Sequence, residues 1–401
     1  MSVMHVTPRR GGRARALIGV AVAALAVVGG ACASSTTSTT STTSTTSTTS
    51  TTSTTSTTST TSTTSTTTTL PVPPGGVIPA DFQPTSFTAV SLDVWWMLGT
   101  ARCLTGSGTC GAIVRTTDGG SSFVGIPSPP VSASEVTQLR FANALDGYAF
   151  DPELWETTNG GASWVRVATP GTVTELEAAD GEAYGLACTT ASCQSMDLLH
   201  SPVGSREWQK VSTPASLGFQ ATFAVSGPSL YVLSANMNTR PYVLLYSADE
   251  GATFTKRVEP CTAGLGGRVT AAADGSSTIW AACPTGTEAT VLLSTNGGKS
   301  WRVAEPTEAR FPNSVGLAAA SSSVALVWPA PVDELPAAMA RTTNGAKSYS
   351  AVLSSSGTVR WAGFSDPSRA FALLAVTASG PTQLFETNDG GATWFQVVIK
   401  S

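Results

Sequence analysis

Five carboxylates are placed where they could do chemistry: Asp151, Glu153, Glu308, Asp333 and Glu334. Each falls in an irregular stretch between strand-like runs. Glycoside hydrolysis needs only two carboxyl groups at a set separation, so a pair drawn from these five is the candidate catalytic set. Their spacing does not fix which two converge. The same stretches carry Asn236, Asn238, Arg240, Tyr242, Arg310 and Trp328. Such residues hold a sugar or a peptide through hydrogen bonds and flat apolar contact, and loops on a rigid scaffold are where binding residues concentrate. Other chemistries are excluded. His200 is the only histidine beyond His5, too few for a multi-histidine zinc site, and no His-dependent triad is supported. No phosphate loop or dinucleotide fingerprint leads from a strand into a helix. No cofactor and no metal are expected.

The elements that position these residues announce themselves by repetition. Thr116-Thr117-Asp118-Gly119-Gly120-Ser121-Ser122-Phe123 returns as Thr157–Trp164, Ser247–Phe254, Ser294–Trp301 and Thr387–Trp394. A weakened copy, Thr342–Tyr349, carries Ala346 in place of the second Gly. The copies start 41 to 48 residues apart, except for one gap of 90 between 157 and 247. A worn copy fills that gap: Ser201–Trp208 keeps the first Ser and the closing aromatic. Seven units of this length match four-stranded blades, and a fixed period of this kind signals a repeat architecture. Within a unit, short β-branched and aromatic runs alternate with Asp, Asn and Gly turns, as in Val136–Phe141, Tyr148–Phe150 and Leu154–Glu156. No sustained 3.6-residue apolar period occurs. The expected fold is all-β: a seven-bladed β-propeller of four-stranded antiparallel blades over residues 77–401. Whether Gly76–Phe82 adds to the last blade stays open.

In each copy the Asp or Asn accepts backbone N–H bonds within its own turn, and Gly supplies positive φ. Asp118, Asn159, Asp249, Asn296, Asn344 and Asp389 are therefore structural. Strand order A-B-C-D puts these C–D turns and the A–B turns on one rim. The B–C and D–A loops form the other. Six of the seven cysteines fall on that other rim. Six cysteines allow 15 connectivities. Proximity of loops favours Cys103–Cys110, Cys188–Cys193 and Cys261–Cys283.

The repeated turn resembles the Asp-box (BNR) repeat of sialidases, xyloglucanases, sortilin-type receptors and photosystem II stability/assembly factors. The likeness covers about residues 85–401. The layout is most similar to the photosystem-factor group, through second strands such as Gly147-Tyr148-Ala149-Phe150. The resemblance implies a propeller whose boxes face away from the ligand. Sialidases of this kind carry a Phe-Arg-Ile-Pro motif, which this chain lacks.

Residues 1–33 read as an export signal. Arg9, Arg10, Arg13 and Arg15 precede an apolar run from Ala16 to Val28, too short for a membrane span. Gly30-Ala31-Cys32 resembles a lipobox, while Ala31-Cys32-Ala33 also fits ordinary cleavage. Cys32 is the odd cysteine, which favours lipidation. Residues 34–69 are all Ser or Thr. With no apolar surface to bury, such a tract stays disordered and is a candidate for O-glycosylation. A Pro-rich stretch follows, so 34–76 reads as a stalk.

Without the four arginines of the signal, 18 basic residues face 26 acidic ones, a balance of −8. No basic stripe is present, which argues against nucleic acid. The leading expectation is an exported, lipid-tethered monomer at the cell surface. It would bind a protein or glycan without catalysis, through the cysteine-bearing rim, and touch the membrane only through its anchor. The alternatives are a sialidase-like glycoside hydrolase and a structural envelope protein.

Overall fold

The computed structural model describes residues 73–103, 107–218, 220–235, 242–262, 266–285, 288–303, 311–312, 315–329, 338–354, 357–375, 377 and 380–400. The expected signal at 1–33 with Cys32, and the stalk up to residue 72, lie outside them.

The short alternating runs pair in sequence order into seven antiparallel sheets. Blade 1 is β1 (Gln83–Ala89), β2 (Trp95–Arg102), β3 (Thr109–Thr116) and β4 (Val124–Ile126). Blade 2 is β5 (Val136–Phe141), β6 (Gly147–Pro152), β7 (Trp155–Thr157) and β8 (Val165–Arg166). Blade 3 is β9 (Thr172–Ala179), β10 (Glu182–Cys188), β11 (Ser195–Pro202) and β12 (Gln209–Lys210), with β13 (Leu217–Gly218) also on β11. Blade 4 is β14 (Thr222–Ser226), β15 (Ser229–Ala235), β16 (Tyr242–Ser247) and β17 (Thr255–Arg257). Blade 5 is β18 (Arg268–Ala271), β19 (Ile279–Pro284), β20 (Glu288–Ser294) and β21 (Arg302–Val303), with β22 (Phe311–Pro312) also on β20. Blade 6 is β23 (Val315–Ala319), β24 (Ala325–Pro329), β25 (Ala338–Thr342) and β26 (Ser350–Ser354). Blade 7 is β27 (Val359–Phe364), β28 (Ala370–Ala375), β29 (Thr382–Thr387) and β30 (Phe395–Val397). No helix occurs among the described residues.

The expected seven-bladed, all-β propeller is therefore present. In blades 3 and 5 the outermost position is split. β12 covers Leu199 and His200, while β13 covers Ser195 and Met196 at the other end of the same strand.

The core is cut into seven pieces, one per seam between neighbouring blades. Each cluster joins residues of two neighbouring sheets. The seam between blades 7 and 1 is built like the others: Phe371, Leu373 and Leu384 meet Phe87, Trp95 and Met97. Each blade's four strands are consecutive, so apolar packing closes the ring without a shared strand. The tail adds a backbone tie, since the Phe123 N–H donates to the carbonyl oxygen of Lys400 at 2.9 Å.

Gly76–Phe82 joins blade 1, not the last blade. Gly76 and Gly125 exchange both backbone hydrogen bonds, at 2.8 and 3.0 Å. The Arg102 N–H donates to Ala80 O at 2.9 Å. Pro73 is held there too, its carbonyl accepting from Arg115 Nη2 at 2.6 Å.

Candidate functional site

The repeated turn consumes its own polar groups. In blade 1, Thr116 Oγ1 donates to Asp118 Oδ1 and accepts the Gly120 N–H. Asp118 accepts the Ser122 N–H at 2.9 Å and the Ser122 hydroxyl at 2.6 Å. Where Asn replaces Asp, the clasp persists with its polarity reversed: Asn159 Nδ2 donates to Ser163 Oγ at 2.9 Å. The fourth residue of each of the six clear copies donates its N–H to the A–B turn of its own blade, at 2.6–3.1 Å. Gly119 to Asp93 O and Gly390 to Ser368 O are examples. The worn copy keeps this anchor one residue early, from Val203 N to Gly181 O at 2.8 Å. A Ser201–Ser205 hydroxyl contact of 2.9 Å stands in for the lost acid.

These hydrogen bonds hold the carboxylates well below their ordinary range. The Ser122 hydroxyl and N–H bring Asp118 down to about 2. The Thr253 and Ser247 hydroxyls do the same for Asp249. Asp389 is lowered further, chiefly by Thr393. The box rim therefore offers little uncommitted chemistry.

The opposite rim holds the disulfides Cys103–Cys110, Cys188–Cys193 and Cys261–Cys283. Between blades 2 and 3 it bears a groove of about 670 Å³. One side is Pro152, Glu153 and Leu154; the other is Thr189, Thr190 and Ala191, beside Cys188. Gly171 seats the crossing chain: a Cβ there would fall 2.4 Å from Cys188 O.

Of the five candidate carboxylates, Asp151 and Glu153 are described. Asp151 accepts from Thr137 Oγ1 at 3.0 Å. Glu153 takes Arg166 Nη2 at 2.7 Å on one oxygen and Trp155 Nε1 at 3.0 Å on the other. Both are engaged with protein, and Glu153 walls the groove. Glu308, Asp333 and Glu334 lie outside the described residues, as do Asn236, Asn238, Arg240 and Arg310.

Tyr242 is 7% exposed and packs beside Cys261 in the seam of blades 4 and 5. Its phenol is pushed up by burial, and its ring serves the core. Trp328 is 5% exposed. Its indole edge borders the central channel, where it lies over Gly316, its cross-strand partner.

That channel, about 610 Å³, is lined by the inner strands of blades 2 to 7. It collects four charged groups: Arg140 on β5, Glu175 and Glu177 on β9, and Arg268 on β18. Arg140 Nη2 meets Glu177 Oε1 at 2.7 Å. Glu177 keeps 41% of its side chain open to the channel, yet protein surrounds it, and that enclosure pushes its carboxyl up against the pull of Arg140. Enclosure raises Glu175 to about 7, opposed by Arg268 and by the Phe223 N–H. Perturbed carboxyls in a cavity mark candidate sites. None of these four residues stands out in the sequence by motif. The available signal is charge on innermost strands whose other members are small or apolar, as in Thr-Val-Thr-Glu-Leu-Glu-Ala at 172–178.

No protein-family model matches the chain, and no curated protein matches it. Solved structures do. YCF48 bound to D1 peptide superposes with a TM-score of 0.53 at 15% identity, over 78% of this chain and 95% of that one. The β-propeller domain of the Trilobed protease from Pyrococcus furiosus, described as having an open velcro topology, gives 0.56 at 11% identity, over 80% and 96%. YCF48 from Cyanidioschyzon merolae gives 0.51 at 14% identity, over 79% and 97%. At these identities the likeness is one of fold: this chain shares with them a β-propeller.

Proposed function

We propose that the protein is a non-enzymatic binding propeller, exported and tethered at the cell surface through a lipid on Cys32, that takes a protein or glycan on its disulfide-bearing rim. The observation that carries this reading is the contrast between the rims. The box rim spends its acids, hydroxyls and N–H groups on its own turns, while the disulfide rim bears an open groove walled by Thr189, Thr190 and Ala191. Disulfides favour an oxidising compartment, in keeping with export. The peptide carried by YCF48, a protein of like fold, supports a peptide-sized ligand. Engagement of Asp151 by Thr137 and of Glu153 by Arg166 and Trp155 argues against these two as a catalytic pair.

The test uses the full chain on peptide and glycan arrays. Ala191→Arg, which fills the groove, should abolish binding of the ligand held at the rim; Lys299→Glu on the box rim should leave it unchanged. Equal binding by both variants would overturn the rim assignment. Turnover of fluorogenic glycosides, lost in Asp151→Asn, would overturn the non-enzymatic reading.

A further inference from the structure

We propose that the central channel is a second binding site, distinct from the rim groove, and that it takes an uncharged, hydroxyl-rich ligand of the oligosaccharide class.

The argument begins with charge. Two guanidinium and two carboxyl groups line one side of the channel, on blades 2, 3 and 5. They are matched rather than massed. Arg140 is bonded to Glu177, and Arg268 and Glu175 line the same cavity. The four formal charges cancel, and the raised Glu175 leaves at most a partial positive excess. Yet the wall is not satisfied: the Arg268 guanidinium makes no hydrogen bond among the described residues, and Glu177 has its second oxygen open to the channel. Donors and acceptors therefore stand side by side. A hydroxyl both donates and accepts, so vicinal hydroxyls can bridge such a wall without bringing in an unpaired charge, whose burial is costly.

The facing wall has the opposite character. In a ring of seven, blade 3 looks toward the seam of blades 6 and 7. That side presents Leu317, Trp361 and Phe364. Trp361 lies against the wall because Gly363, two residues along the same strand, leaves room for it: a Cβ there would fall 2.6 Å from Trp361 Cζ2. Trp361 stays partly open, braced by Phe87 at 5.6 Å between ring centroids. A flat aromatic face opposite paired polar groups suits a ring with one apolar face and hydroxyls at its edge. The cavity volume is in the range of small-ligand sites.

Intrinsic tryptophan fluorescence of the full chain provides the test, with cellohexaose, maltohexaose, chitohexaose and xylohexaose as probes. Hexagalacturonate and an acidic peptide serve as charged arms. At least one neutral hexaose should saturate the signal. Arg268→Gln and Glu177→Gln should each weaken that binding about tenfold or more, the value of a hydrogen bond to a charged group. Trp361→Ala should weaken it also, and Arg268→Gln keeps the test sound if removing Trp361 disturbs the fold. Ala191→Arg in the rim groove should have no effect, which separates this site from that one. The proposal is overturned if no neutral hexaose binds up to about 1 mM. It is equally overturned if binding survives both polar substitutions, or if only the charged probes bind.

Discussion

Arg369 Nη1 donates to the backbone carbonyl of Leu92 at 2.7 Å, tying the last blade to the first. The same guanidinium pairs with Glu386 at 2.7 Å and lies 4.8 Å from the Trp95 ring. Side chains of both partners are largely buried, 13% and 14% exposed. Because no strand is shared between the termini, this seam depends on side-chain packing and a few hydrogen bonds, among them Phe123 N–H to Lys400 O. Arg369→Ala strips the charge partner from Glu386 and should cost about 3–5 kcal/mol, read by urea unfolding. A loss below about 1 kcal/mol would show that the apolar seam closes the ring unaided.

Acid should weaken the box rim in a defined window. Asp118 and Asp249 lie near 2 when folded, and Asp389 lies lower. A carboxyl depressed by folding contributes stability above its unfolded pKa, near 4, and loses it as pH falls through its folded value. The melting temperature should therefore drop between about pH 4 and pH 2. Asn already occupies the same clasp in three copies. The triple variant Asp118→Asn, Asp249→Asn, Asp389→Asn should fold and show a shallower acid drop.

The channel should respond with the opposite sign. Glu175 is raised to about 7, so the folded state holds its proton longer than the unfolded chain does. Stability then falls as pH rises from about 4.5 to 7. Glu175→Gln removes the titration, so its melting temperature should lose this decline and exceed the parent's at pH 8. An unchanged profile would place Glu175 in contact with bulk water.

One turn position separates sterics from conformation. Gly161 has φ 87°, and a Cβ there would fall 2.5 Å from Ile126 Cδ1. Gly161→Ala should cost at least about 1 kcal/mol, the price of a left-handed non-glycine residue, plus the clash. Ala346 holds the same turn position in blade 6 at φ 68° and is fully buried. Ala346→Gly relieves that strain but frees the unfolded chain, and should change stability by less than about 1 kcal/mol. Chemical denaturation of both variants provides the comparison.

How much of this was legible in the sequence follows from range. The boxes were, because Asp118 and Ser122 interact within one turn and repeat in register. The disulfides were, because each pair bridges one loop or two adjacent ones. The channel was not. Arg140, Glu175, Glu177 and Arg268 converge only when seven blades close, and no local pattern encodes that. Tyr242 reads as a loop residue beside Pro241, yet β16 starts there and turns the ring into the seam. The split outer strands leave no mark in the sequence because β13 and β22 are two residues each. Such elements carry no periodicity.

The rim assignment is the central claim, and site-specific photocrosslinking tests it most directly. A crosslinking residue would be placed at Thr190 on the disulfide rim and, separately, at Lys299 on the box rim, in the full chain expressed in its own cell envelope. The account predicts a discrete adduct from Thr190 and none from Lys299. An adduct from Lys299 with none from Thr190 would contradict it.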